Sequence, residues 1–269
     1  MIYPLLKIVY NKMNLENDFD SYLYGFIATD GSISLNTRNR GKVTIEISYR
    51  DKDLIEKIHE DFKLKHSIRT RVRDTNFAKE YKSIMFSCHL KEYRDFLFEN
   101  GMPKEDKTNQ VTVPSKPYNK FAFWRGVIDG DGSIGYTATN EPFVSLVTKS
   151  EELKNEFLKL IEEELDIIKV INRNKRDDIY NITIKNEEAI KLANLLYKDA
   201  KIYLDRKYEN AVDFKNWKRT KKKINKQTWT AKEEKYILEH SLEDSIKNLN
   251  RTKGAIKCKL YKLNNSNKN

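Results

Sequence analysis

Residues 121–136 read FAFWRGVIDGDGSIGY, and residues 21–34 read SYLYGFIATDGSIS. Aligned on their glycines, Gly25 falls on Gly126, Phe26 on Val127, Ile27 on Ile128, Asp30 on Asp131 and Gly31 on Gly132. Each copy predicts an apolar helix that ends in a carboxylate followed by glycine. A glycine inside a helix costs roughly 1 kcal/mol relative to alanine, so the pattern calls for a backbone that must carry no side chain there. Close packing of the two helices meets that need and would set Asp30 and Asp131 side by side at the end of the pair. Two carboxylates that close repel unless a cation lies between them. The spacing outlines a metal site.

The repeat extends beyond the motif. After Asp30, residues 32–38 and 42–49 alternate as a hairpin, with Val43, Ile45 and Ile47 on one face and Thr44, Glu46 and Ser48 on the other. A helix is expected over 51–62, strands over 68–73 and 81–87, and a helix over 90–100 closed by Gly101. The second half repeats this order: a hairpin over 133–139 and 143–148, a helix over 151–165, strands over 168–173 and 180–185, and a helix over 187–197. Leu54 falls on Leu153 and Tyr81 on Tyr180, both at an offset of 99 residues. The fold class is α+β, a pseudo-twofold pair of αββαββα halves with two four-stranded antiparallel sheets.

The segments divide as an N-terminal extension (1–18), a first half (19–102), a linker (103–118) holding Pro103, Pro114 and Pro117, and a second half (119–214). A basic linker (215–227) and a helical module (228–265) complete the chain. Lys107 lies 77 residues after Asp30, and Lys207 lies 76 after Asp131, so a lysine recurs with each carboxylate.

The net charge of +11 is unevenly placed. Residues 215–269 hold 16 Lys+Arg against 5 Asp+Glu, while residues 1–214 hold 35 of each sign. The basic excess of the tail points to a polyanion. The balanced part needs local basic faces instead. Arg69, Arg71 and Arg73 recur at period two on one strand face; Arg38, Arg40 and Lys42 stand at the neighbouring hairpin tip. Lys169, Arg173, Lys175 and Arg176 add cations in the second half, so the expectation is a basic concave face. Such arginines bond guanine edges bidentately or hold phosphates.

Two cysteines, Cys88 and Cys258, make neither a disulfide framework nor a zinc cluster. The N-terminal MIYPLLKIVYNKM is apolar but too short to span a bilayer and lacks a small-residue cleavage site. The expectation is an intracellular protein, cytoplasmic in a phage or bacterial setting or organellar, not secreted and with no membrane partner. In the tail, Trp229, Ile237, Leu238, Ile246, Leu249, Ile256 and Leu260 predict three short amphipathic helices, with Thr252 capping the third. That helix carries Lys253, Lys257 and Lys259 and resembles a Myb/SANT-type helix-turn-helix, whose third helix enters the major groove in the family pattern. A calcium-loop reading of DGDGSI fails, because an EF-hand needs glycine at its sixth position and Ile134 stands there.

Residues 124–132, WRGVIDGDG, and 23–31, LYGFIATDG, resemble the paired motifs of the LAGLIDADG homing endonucleases over about residues 20–214. Ala28 replaces the first acidic residue of the motif, a position that does not bind metal in the family. Two motifs in one chain look like the monomeric form that cuts a long asymmetric site in double-stranded DNA through two saddle-shaped sheets. By this resemblance Asp30 and Asp131 bind magnesium, or manganese in its place, helped by the backbone carbonyls of Thr29 and Gly130. Lys107 and Lys207 match the family's active-site lysines, and Gly25 and Gly126 permit the helix contact. The leading expectation is a metal-dependent, site-specific DNA endonuclease of a mobile intron or similar element. Two alternatives share the fold: an RNA-binding maturase acting on intron RNA, and a non-catalytic DNA-binding regulator.

Overall fold

The computed structural model describes residues 13–36, 40–74, 76, 79–219 and 229–266. The chain divides into two units, Met1–Arg219 and Thr220–Asn269.

In the larger unit, helix α1 (Asp18–Thr29) begins where the Asn17 side chain accepts from the Asp20 N–H. Helix α5 (Lys120–Asp131) begins in the same way, with Asn119 accepting from Ala122. Both caps satisfy a first-turn donor that the helix itself cannot. Residues 21–28 and 122–129 are all buried, so each helix is covered on every side. That explains why the motif is apolar all round instead of amphipathic.

The first half continues through β1 (Gly31–Leu35), β2 (Gly41–Ser48), α2 (Lys52–Asp61), β3 (Ser67–Arg73), β4 (Tyr81–Cys88) and α3 (Lys91–Glu99). Its sheet is four-stranded and antiparallel in the order β1-β2-β4-β3. The register Ile45↔Phe86 and Ile47↔Ile84 puts these buried residues on one face. Thr44, Glu46 and Ser48 take the other, as the alternation requires. A one-turn helix, α4 (Lys107–Gln110), stands inside the inter-half segment.

The second half runs through β5 (Gly132–Tyr136), β6 (Pro142–Thr148), α6 (Glu151–Leu165), β7 (Tyr180–Lys185), α7 (Glu187–Tyr197) and α8 (Asp205–Asp213). Its sheet has three strands, β5-β6-β7, not the four expected. Residues 168–173 do alternate, with Ile167 and Ile171 packed against the core and Ile168 and Val170 exposed. They form no ladder; the one bridge near them joins Asn174 to Ile179. Alternation reports an extended backbone, whereas a strand also needs its amides paired.

The smaller unit holds α9 (Ala231–Glu239), α10 (Leu242–Asn248) and α11 (Lys253–Ser266). Thr230 and Glu233 form a reciprocal capping box at the start of α9. Ser241 caps α10 through the Asp244 N–H, and the Ala255 N–H donates to the Thr252 hydroxyl at 3.2 Å. Ile237 and Ile256 are buried at its centre. Arg251 bonds Glu233 through two nitrogens and lies over the Trp229 ring. Among the described residues no helix is long and apolar enough to cross a membrane.

Candidate active site

The site is made by the contact of α1 with α5. A Cβ on Gly25 would strike the Phe123 carbonyl, and one on Gly126 would strike the Tyr22 carbonyl and lie 2.8 Å from the Phe26 nitrogen. The two glycines are therefore required by backbone-to-backbone approach. Asp30 caps the end of α1 and Asp131 is the last residue of α5, each at the exit into β1 or β5.

Both carboxylates open to solvent but are crowded by protein. Desolvation pushes the Asp131 carboxyl up to about 6, with the Asp30 charge adding to the rise and the two lysines opposing it. Desolvation raises Asp30 too, against the attraction of Lys207, Lys107 and Arg206. This is the behaviour of an acidic pair held at close quarters.

The repeated lysines are helix-end clamps. The Lys107 ammonium donates to the carbonyls of Ile27 (2.8 Å), Thr29 (2.8 Å) and Gly31 (2.6 Å). The Lys207 ammonium donates to those of Ile128 (2.6 Å), Asp129 (2.7 Å) and Gly132 (2.7 Å). Each supplies the charge that the C-terminal end of a helix attracts. Burial lowers both lysines to about 8. Lys207 is almost fully buried and Lys107 half-buried. The expected carbonyl ligands differ as a result: Thr29 already accepts from Lys107, while Lys207 bonds the Asp129 carbonyl, the one before Gly130.

Two clefts flank the pair. One is lined by Asp30 with Glu46, Arg50, Asp51 and Arg206; the other by Asp131 with Thr29, Lys107, Thr108 and Lys149. Arg206, which the sequence reading did not single out, pairs with Asp51 at 3.1 Å. Its one signal in the sequence is its place beside Lys207. A more apolar cavity, lined by Met13, Phe19, Phe62, Leu64 and Ile202 among others, opens at the N-terminal end of α1, away from Asp30.

Asp129 was missed as a structural residue. Its buried carboxylate accepts from Tyr22 Oη (2.8 Å), from Tyr197 Oη and from the Leu204 N–H (2.8 Å). Arg125 is buried as well and donates from Nη2 to both Asp18 carboxylate oxygens at 2.7 Å.

The residues expected to face DNA are dispersed in role. Arg69, Arg71 and Arg73 stand exposed on the edge strand β3, with Arg73 paired to Glu46 at 3.4 Å. Arg40 is exposed and Lys42 half-buried, while Arg38 lies outside the described residues. In the second half Lys169 turns to the Thr183 carbonyl, Arg173 pairs with Asp178 and Arg176 with Asp177; Lys175 is exposed. On α11, Lys253 and Lys257 are exposed, but Lys259 pairs with Glu234 at 2.6 Å.

A family model described as a WhiA LAGLIDADG-like domain matches residues 19–85, and one described as a LAGLIDADG-like domain matches residues 119–197. Each half is thus similar to a LAGLIDADG-like domain. The structure of the homing endonuclease I-WcaI bound to its DNA recognition sequence is similar at a TM-score of 0.52 and 15% identity, covering 78% of this chain and 93% of that one. The LAGLIDADG homing endonuclease I-GzeII in complex with its DNA target follows at 0.46 and 14%, covering 75% and 89%. No curated protein matches the chain. The α+β architecture with two antiparallel sheets is the fold of the I-WcaI structure.

The donor set fits a divalent metal. Among the described residues no group of three or more His, Cys, Asp or Glu gathers around one point. Two carboxylates, the Gly130 carbonyl and the oxygens of a bound phosphate are the hard donors that magnesium prefers.

Proposed function

We propose that the chain is a site-specific double-strand DNA endonuclease that hydrolyses phosphodiester bonds with magnesium or manganese, and that it acts as a monomer. One observation carries the reading: the glycine-mediated contact of α1 and α5 forces Asp30 and Asp131 together at a cost that a pure binding protein has no reason to bear.

Asp30 and Asp131, with the Gly130 carbonyl, would hold the metal against the scissile phosphates. The bound metal would supply Lewis-acid polarisation of phosphate oxygens and acidify an attacking water. Lys107 and Lys207 fix the helix ends so that the carboxylates do not splay, and their charge offsets that of the pentacoordinate transition state. The outer sheet faces hold the duplex, and the C-terminal unit, with its cationic α11 in the manner of a helix-turn-helix, adds contacts to DNA.

The test is incubation of the purified protein with its own flanking gene sequence, uninterrupted, with and without magnesium. Magnesium-dependent double-strand cutting near the junction supports the reading. Tight binding without cutting favours the second reading, a DNA-binding regulator on the same fold, to which the match of the first half to the WhiA-type domain lends support.

A further inference from the structure

The outward faces of the two sheets differ in chemistry at equivalent positions. In the first, the face turned from the core carries Lys42, Glu46, Arg69, Arg71 and Arg73 with Met85 and Tyr81 among small hydroxyls. In the second it carries Ser133, Phe143, Ser145, Val147, Asn181 and Thr183. The cation on those strands, Lys185, pairs with Glu141 at 3.7 Å.

The contrast sharpens beside β7. Ile167 and Ile171 pack against the core, Lys169 bonds the Thr183 carbonyl, and Ile168 and Val170 stand 80% and 86% exposed. The offset of 99 residues that relates Tyr81 to Tyr180 places Arg69 on Ile168 and Arg71 on Val170. Where the first half projects guanidinium groups, the second projects branched apolar side chains. Neighbouring exposed side chains of that kind mark a surface that something covers.

We infer that the two sheets read half-sites of opposite composition: the first favours G·C pairs through Arg69 and Arg71, and the second favours thymine-rich A·T pairs whose C5-methyl groups pack on Ile168 and Val170. The inference rests on the DNA-cleaving reading above. In the major groove the thymine methyl is the one apolar feature of a base edge, and guanine O6 and N7 are the bidentate partners of arginine. Asn181, exposed on the same face as Ser145 and Thr183, has the amide that pairs with adenine. The face is continuous with the site, since β5 leaves Asp131 directly.

The experiment is selection by the full-length protein, without divalent metal, from duplexes randomised on both sides of a fixed centre. Enriched duplexes should be G·C-rich on one side and thymine-rich on the other. Replacing those thymines by deoxyuridine should weaken binding about three- to fourfold per methyl removed. The double variant Ile168→Ser/Val170→Ser, folded by circular dichroism, should lose both the thymine preference and the deoxyuridine effect, and keep the G·C side. Enrichment of the same composition on both sides, or an unchanged deoxyuridine effect in the variant, overturns the inference while cleavage stands. No enrichment together with no cleavage overturns the endonuclease reading and this one with it.

Discussion

Tyr22 of the first motif helix donates its phenolic hydrogen to the buried Asp129 carboxylate of the second, 2.8 Å away across the seam between the halves. The equivalent of Asp129 in the first half is Ala28, so this bond has no mirror image. Asp129→Ala would leave Tyr22, Tyr197 and the Leu204 amide without their acceptor. We expect a loss of about 3–5 kcal/mol in urea unfolding. A loss below about 1 kcal/mol would show that water replaces the carboxylate.

Much of the site was legible because its chemistry is written locally and twice. Gly25 with Gly126, Asp30 with Asp131 and Lys107 with Lys207 stand out as repeated residues with no local structural need. The Asp129 network was hidden because it joins residues 107 and 68 positions apart, and no periodicity announces such a meeting. The missing fourth strand of the second half was hidden differently: Ile168 and Val170 alternate as a strand does, but ladder pairing is not a property of one segment. Lys259 could not be told from Lys257 until the fold brought Glu234 to it.

The glycine seam gives a prediction of its own. Gly25→Ala or Gly126→Ala pushes a methyl into a carbonyl of the facing helix. Because neither backbone can retreat without unpacking the core, we expect about 2–3 kcal/mol of destabilisation or more, read as a fall in Tm. Gly254, with open space where its Cβ would be, is the control, and its alanine variant should keep or raise the Tm.

The acidic pair should reveal itself by pH. Asp131 sits near 6 in the fold against about 4 in an unfolded chain. Its raised value makes its contribution to stability full below about pH 4 and lost as pH rises through about 6. Magnesium requires the ionised pair, so the Tm gain it confers should be small near about pH 5 and large near about pH 7.5. Scanning fluorimetry across that range, with and without magnesium, measures both trends. A gain that is flat with pH would refute the assignment. Asp131→Asn should erase the magnesium effect and cleavage while DNA affinity persists.

The lysine clamps differ in depth and so should their variants. Lys207→Met leaves three carbonyls unpaired in a buried place, and about 3 kcal/mol is expected; Lys107→Met, half-exposed, should cost about half of that. Equal losses in denaturant melts would argue against helix-end clamping as their structural role.

Removing residues 215–269 takes away 16 Lys+Arg against 5 Asp+Glu. DNA affinity should fall and the slope of log affinity against log salt should flatten. Within the tail, Lys257→Gln should weaken DNA binding with little effect on folding. Lys259→Gln should instead loosen the three-helix unit by breaking its pair with Glu234.

Lys107, in the segment that directly follows the first half, clamps the end of α1, and Lys207 of the second half clamps the end of α5. A half therefore brings its carboxylate and its clamp as one cassette. Recombining halves from different proteins to address a new sequence would leave that chemistry intact, provided the donor of one half supplies a partner for what crosses the seam. Here those crossings include Gly25 and Gly126 against the facing backbone carbonyls, Tyr22 for Asp129, Asp18 for Arg125, Asp51 for Arg206 and Lys57 for Asp205.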